Sequence, residues 1–255
     1  MRAQPWDAEL YDTRHSFVTG YGAELLTLLD AHPGERVLDA GCGTGEHVAE
    51  LCAQGVDAVG VDASPDMVRR ARERFPDLGV SVADLRDPAQ TPEPTGYDGV
   101  FSNAVLHWIP EAGRAAATLF AALRPGGRLV AELGGSGNIA AIDTEARRLR
   151  AGLSLADPAS PWYFPTVAGY TAVLERAGFD VTGAWLFDRP TRLDGADGLR
   201  SWVRMFAGHL LAGVPDTDAF LVELDGRLRS SLYRDGAWWA DYRRLRVTAT
   251  RPEAG

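Results

Sequence analysis

Apolar residues along this 255-residue chain follow two alternating rhythms. Short apolar runs ending in an acid or amide alternate with stretches in which apolar positions recur every three or four residues, the spacing of a helix face. Leu25, Leu26, Leu28 and Leu29 give such a face to a helix over roughly Gly22 to Asp30. Arg36-Val37-Leu38 reads as a first strand, Val56 to Asp62 as a second, Val80 to Asp84 as a third, Tyr97 to Asn103 as a fourth and Arg128 to Gly134 as a fifth. Between them, Val48, Leu51 and Cys52 mark a helix that Gly55 can end. Ser64-Pro65 offers an N-cap and a first-turn proline ahead of Val68, Ala71 and Phe75. Glu111 to Leu123 is helical and meets the turn Arg124-Pro125-Gly126-Gly127. Strands alternating with helices imply parallel βαβ units.

Past Gly135 the rhythm loosens. Helices are expected over Gly137 to Arg150 and Val167 to Ala177, with the loop Asp157 to Pro165 between them. Phe179 to Phe187 reads as a sixth strand, Leu199 to Leu211 and Phe220 to Leu232 as two helices, and Leu245 to Thr250 as a closing strand. The length suits one α/β domain with an elaboration, and a 45% hydrophobic content is enough for a sizeable core.

Charge and composition exclude several partners. A formal charge of −9 argues against nucleic acid, whose phosphates are held mainly by Lys and Arg. All 26 basic residues are arginine, so lysine Schiff-base chemistry is excluded. Cys42 and Cys52 form no disulfide or metal framework, and His32, His47 and His209 show no metal-ligand spacing, so no metal is expected. No apolar run approaches the roughly 18 residues of a membrane span, and the N-terminus has no apolar leader. A cytoplasmic protein without membrane or nucleic-acid partners is the expectation, with its oligomeric state left open.

The chemistry begins at Val37-Leu38-Asp39-Ala40-Gly41-Cys42-Gly43-Thr44-Gly45. A strand, a glycine turn and a helix in that order form the nucleotide-binding corner of a doubly wound sheet. Asp39 would repel a pyrophosphate seated on this turn, and Glu46 stands where a dinucleotide motif has its third glycine. A phosphate-free ligand with a cationic head fits better, and S-adenosylmethionine is one. Acids or amides end four of the first strands, at Asp39, Asp62, Asp84 and Asn103. Asp62, about twenty residues after Gly41, is placed to accept both ribose hydroxyl protons; Asp84, with the amide of Leu85, is placed to read the adenine edge.

At these residues the chain resembles the class I S-adenosylmethionine-dependent methyltransferases, whose first motif has the same acid-x-Gly-x-Gly-x-Gly form. The resemblance implies an α/β, doubly wound seven-stranded sheet, a Rossmann-like methyltransferase fold with its last strand antiparallel. It makes 192–239 a helical cap inserted before that strand, within a single domain over 1–255. Residues 1–30 would form an N-terminal lid and helix. The cofactor contacts implied are Asp39, Gly41, Cys42 and Gly43 from the first loop, with Asp62, Ala63 and Met67 from the second. Asp84 and Leu85, Asn103, and His15 from the lid complete them, with S-adenosylhomocysteine as product.

Ser102-Asn103-Ala104-Val105-Leu106-His107-Trp108 lacks the Pro-Pro-aromatic run of base- and glutamine-methylating enzymes and the cysteine of cytosine C5 enzymes. The wider likeness is to the trans-aconitate methyltransferase group. It includes Trp6, Tyr11, His15-Ser16-Phe17, Leu123-Arg124-Pro125-Gly126-Gly127 and Pro161-Trp162-Tyr163-Phe164-Pro165. A small-molecule acceptor methylated on a carboxylate or hydroxyl oxygen is the expectation. C- or N-methylation of a secondary metabolite, or a cofactor-binding homologue that does not methylate, stay open. His107 is the candidate base, with a packing or donor role as the alternative; a carboxylate acceptor would need no base. Trp108 and Tyr163 are candidate walls of the acceptor pocket, with plain packing as the alternative. Arg189 or Arg204 could clamp an acidic acceptor.

Overall fold

The computed structural model describes residues 17–91 and 96–253, with the side chains of 17–21 and 23 outside the description. The strands run β1 (Arg36–Ala40), β2 (Asp57–Asp62), β3 (Gly79–Val82), β4 (Tyr97–Asn103), β5 (Leu123–Gly134) and β6 (Asp180–Asp188). Then come β7 (Thr191–Leu193), β8 (Tyr233–Arg234), β9 (Ala237–Ala240) and β10 (Arg243–Thr250). Seven of them form one sheet in the order β3-β2-β1-β4-β5-β10-β6. β1 to β5 pair in parallel, whereas β10 is antiparallel to both β5 and β6. The strand order reverses between β1 and β4, and the carboxyl ends of a doubly wound sheet open into a crevice at that switch.

Alternate residues of each central strand face opposite layers, as period-2 geometry requires. Val37 and Phe101 join Leu25, Leu29, Val48 and Val68 on one face, beneath the helices Phe17–Leu29, Glu46–Ala53 and Pro65–Arg74. Leu38 and Val100 join Leu119, Tyr170 and Leu174 on the other, beneath Ala112–Ala122 and Val167–Ala177. Ser64 caps its helix as expected, its Oγ accepting from the Met67 amide at 3.4 Å. Cys52 does not share the buried helix face with Val48 and Leu51 but is exposed. The turn at Arg124–Gly127 lies inside the continuous strand β5, with Gly126 at φ +74° and a register shift opposite Tyr97/Gly99.

Between β6 and β10 the chain builds the cap. Its helices Gly198–Phe206 and Thr217–Leu232 pack Leu199, Trp202, Phe206, Leu221 and Leu224 against Ile142 and Ala146 of the helix Ala140–Gly152. The cap is not wholly helical, since β7, β9 and β8 form a small antiparallel sheet with Trp238 buried in it. The helix Ala140–Gly152 starts three residues later than the pattern suggested. Ile139 takes a left-handed backbone, and Asp241, 100 residues away, caps the helix by accepting from the Ala141 amide at 2.7 Å.

A buried charge network joins the first helix to the sheet. Glu132 on β5 is 2% exposed, and its Oε1 accepts from Arg189 at 2.6 Å while Oε2 accepts from Arg246 on β10 at 2.9 Å. Both guanidiniums also reach Glu24 of the helix Phe17–Leu29. Removing the central carboxylate leaves two mostly buried cations facing each other. Glu132→Ala is expected to lose about 3–5 kcal/mol of stability, read from the urea unfolding midpoint at an unchanged slope.

Candidate active site

A cleft of about 510 Å³ lies across the carboxyl ends of β1 to β4. Gly41 and Gly43 floor it, Asp62 and Ala63 follow from β2, Asp84 and Leu85 from β3, and Asn103 from β4; Met67 closes one side. Of the eleven residues implied as cofactor contacts, these eight face one cleft. Asp39 and Cys42 lie beneath it, and His15 falls outside the described residues.

The glycine loop is not a phosphate cradle. Such a cradle aims its amides at the ligand, but here Gly41 and Cys42 both donate to the Val61 carbonyl, at 2.8 and 2.9 Å. The Gly43 amide donates to Asp62 Oδ2 at 3.0 Å. The glycines serve conformation and space instead. Gly41 has φ +95°, and a Cβ there would stand 2.2 Å from Val105 Cγ2, so the bare backbone lets the turns after β1 and β4 touch. Gly43, at φ +53°, has open space where its Cβ would be.

Asp62 is half-buried, and its Oδ1 accepts from the Ser64 amide at 2.8 Å. Each oxygen therefore takes one backbone donor and keeps a lone pair for a ligand. Asp39 is 1% exposed, and its Oδ2 has no hydrogen-bond partner among the described residues. Burial pushes its carboxyl well above the usual range, and the neighbouring Asp62 and Glu46 push in the same direction. Cys42 is a packing residue. A Cβ on Gly60 would lie 2.7 Å from its Sγ, and burial drives the thiol upward, away from reactivity.

Asp84, the acid expected at the adenine edge, has a partner that the motif did not suggest. Arg86 grips Asp84, with Nε 2.9 Å from Oδ1 and Nη2 2.5 Å from Oδ2, and this pairing lowers the carboxyl's pKa. The same guanidinium reaches Glu111 on the opposite lip at 3.4 Å. After β4, Ala104 takes φ +60°, a strained value for a residue with a side chain, while its amide donates to the Glu132 carbonyl at 2.8 Å.

Beyond Ala104 the residues expected around the acceptor separate. Trp108, Pro110 and Pro161 wall the cleft. His107, the candidate base, does not face the cleft. It is 6% exposed and lines a second cavity of about 50 Å³, reached past Ala104 and Trp108, which border both spaces. Its Nδ1 accepts from the Gly134 amide at 3.2 Å, so the neutral ring carries its proton on Nε2. Burial first, and Arg244 second, hold its pKa well below the usual value. Tyr163 borders neither space. Its amide donates to the His107 carbonyl and its ring lies 6.4 Å from Tyr170, whereas Trp162 and Phe164 face the second cavity. Neighbours in an extended segment point to opposite sides, so the middle aromatic of three turns away. Arg189 is held by Glu132 and Glu24, and Arg204 is exposed and paired with Asp218, so neither lines a cavity.

Arg86 of the cleft and Arg244 of the smaller cavity carried no signal in the sequence, Glu111 stood only as a helix start, and Pro161 entered only as part of the aromatic loop.

A sheet of this order, with carboxylates at its strand ends and a glycine loop whose amides are internally satisfied, defines a nucleoside-binding α/β protein rather than a dinucleotide one. A family model described as a methyltransferase domain matches residues 37–127. An uncharacterized methyltransferase of Schizosaccharomyces pombe is 33% identical, with 96% of this chain and 97% of that protein aligned. A trans-aconitate 2-methyltransferase of Rhodococcus jostii is 34% identical over 89% of this chain and 91% of its own length. Among solved structures, a putative methyltransferase from Bacillus halodurans shares the fold, with a TM-score of 0.62 at 18% identity over 90% of this chain and 98% of that one. The chain belongs to the class I S-adenosylmethionine-dependent methyltransferases and resembles the trans-aconitate methyltransferase group. No helix among the described residues is long and apolar enough to cross a membrane.

The buried acid at Asp39 has a stability signature. A carboxyl raised in the fold holds a proton that the unfolded chain releases above its ordinary value of 3.8, so the folded state loses stability as pH climbs from there. Ligand-free Asp39→Asn is therefore expected to melt higher than the wild type near pH 8, with the gap closing toward pH 4. A gap that stays constant across that range, measured by scanning calorimetry, would contradict the assignment.

Proposed function

We propose that this enzyme methylates an oxygen, a carboxylate by preference, of a small-molecule acceptor, using S-adenosylmethionine bound in the cleft over Gly41 and Gly43. The observation that carries the reading is the pair of acids there: the buried Asp39 carboxyl, whose Oδ2 has no partner among the described residues, under a cleft lined by Asp62. That combination disfavours a phosphate and favours a ligand bearing positive charge. The residues fit such a ligand. Asp62 has acceptor capacity for vicinal ribose hydroxyls, Leu85 and Asp84 stand at the adenine end, and Asn103 stands at the methionine end. Met67 and Ala63 flank the ribose.

When bound, S-adenosylmethionine supplies an activated methyl group on a sulfonium, which leaves by in-line displacement. The chain's own part is alignment and exclusion of water. Trp108, Pro110 and Pro161 give the acceptor side of the cleft a dry wall. His107 lines the second cavity with its proton on Nε2, outside the donor cleft, and a carboxylate acceptor, ionised at neutral pH, requires no base. The carboxylate preference is also supported by the named activity of the Rhodococcus jostii relative. The cytoplasm is the proposed compartment.

Two measurements test this reading. Saturating S-adenosylhomocysteine is expected to raise the melting temperature of the wild-type protein, and Asp62→Ala to weaken that binding by about 10–100-fold through loss of charge-assisted hydrogen bonds. Release of S-adenosylhomocysteine from labelled donor is then expected with members of a carboxylic acid panel and not with matched amines. An unchanged dissociation constant for the variant, or turnover confined to amines, would overturn the reading.

A further inference from the structure

Arg86 grips Asp84 at the rim of the cleft through its backbone as well as its side chain. Asp84 Oδ1 accepts from the Arg86 amide and from Nε, each at 2.9 Å. Oδ2 accepts from Nη2 at 2.5 Å and shares Nε at 3.0 Å. An ionised carboxylate offers about four acceptor sites. Oδ1 is thus filled, and Oδ2 keeps room for one further donor. The same pairing holds the carboxyl below its usual range, so it has no proton to give.

The grip is braced from two sides. The Asp84 amide donates to Gln90 Oε1 at 3.1 Å, and Gln90 Nε2 donates to Asp87 Oδ2 at 3.0 Å, which ties the loop to the turn Pro88–Gln90. From the opposite lip, Glu111 Oε1 lies 3.4 Å from Arg86 Nη1. Asp84, Arg86, Gln90 and Glu111 all line the cleft. A partly exposed aspartate without such a hold changes rotamer and turns to water when its partner does not suit it. Asp84 is denied that escape.

We propose that Arg86 is a specificity-determining residue: it locks Asp84 as a donor-free edge with one open acceptor site, so that the cleft refuses a purine bearing oxygen at C6. The inference deepens the S-adenosyl reading of the cleft and rests on it, since it needs Asp84 at the base edge. Specificity is a difference between two affinities, and a site gains it partly by what it repels. An amino group at C6 gives an N–H to Oδ2. A keto oxygen there meets an ionised oxygen that cannot swing aside. Arg86 therefore acts on the wrong base more than on the right one.

The test is titration calorimetry on the full chain with three ligands: S-adenosylhomocysteine, its 6-keto counterpart S-inosylhomocysteine, and the purine counterpart with hydrogen at C6. The wild type is expected to prefer S-adenosylhomocysteine over the 6-keto ligand by roughly 100-fold or more. Arg86→Met keeps the bulk and removes every side-chain donor. It is expected to bind the 6-keto ligand about tenfold more tightly than the wild type does, and the other two no more tightly than before. Part of the preference persists, because the N1–H of a 6-keto purine still opposes the Leu85 amide. Arg86→Lys is expected to fall between the two. Damage to the fold weakens all three ligands, so a gain confined to the 6-keto one is a readout that damage cannot produce. No preference in the wild type, or no 6-keto gain in Arg86→Met, would overturn the assignment. A gain shared by the ligand with hydrogen at C6 would overturn it in favour of added space. A wild type that binds none of the three rejects the S-adenosyl reading as well, whereas selectivity that Arg86→Met leaves unmoved rejects the clamp alone.

Discussion

A single carboxylate, that of Asp62, ties the loop after β1 to the helix after β2. One oxygen takes the Gly43 amide and the other the Ser64 amide, and the position of every cleft residue on those two loops follows from this stitch. Asp39 lies below it with no partner for Oδ2 among the described residues, and Glu46 opens the adjoining helix, so three acids crowd together. Burial raises the carboxyl of Asp62 as well, against the lowering effect of its two backbone donors. The ligand-free arrangement thus holds a local electrostatic imbalance that a positive charge in the cleft would relieve. An asparagine or an apolar residue at position 39 would carry none of this imbalance.

The strand ends were legible in the sequence because their signals are local. Alternation, the acid or amide ending each of the first four strands and the glycines at Gly41, Gly43 and Gly45 are read from neighbours within a few residues, and β4 begins and ends where the pattern placed it. The Val167–Ala177 helix was legible for the same reason: Thr166 caps it and Gly178 ends it in a left-handed turn. What the pattern missed depends on residues distant in the chain. β7 and β8 have three and two residues, too few for periodicity, and become strands only by pairing with β9. The start of the Ala140–Gly152 helix is set by Asp241.

The candidate site shows the same division. Gly41, Asp62, Asp84 and Asn103 share one cleft because sheet topology brings successive strand ends together. The orientation of side chains past Asn103 was not legible. His107 turns behind Ala104, and Tyr163 turns away from Trp162 and Phe164, because packing between sheet and cap decides which way each ring points. Arg244 sits on a strand recognisable only as the last of the sheet; its place beside an aromatic cavity follows from β10 lying against β5 while the cap folds over both. The Asp84–Arg86 clamp is short in sequence separation, yet an acid and an arginine two residues apart occur too commonly to stand out.

Ala104 and Trp108 each belong to both cavities, as a partition belongs to two rooms. Occupants on either side of a shared partition do not bind independently. Whatever shift of the indole admits one guest alters the surface offered to the other, and linkage requires the two affinities to change by the same factor. The strained backbone of Ala104, fixed by Glu132 on one side and by the contact of Val105 with Gly41 on the other, makes that partition stiff. Any two guests of these spaces would therefore be thermodynamically coupled through the wall they share.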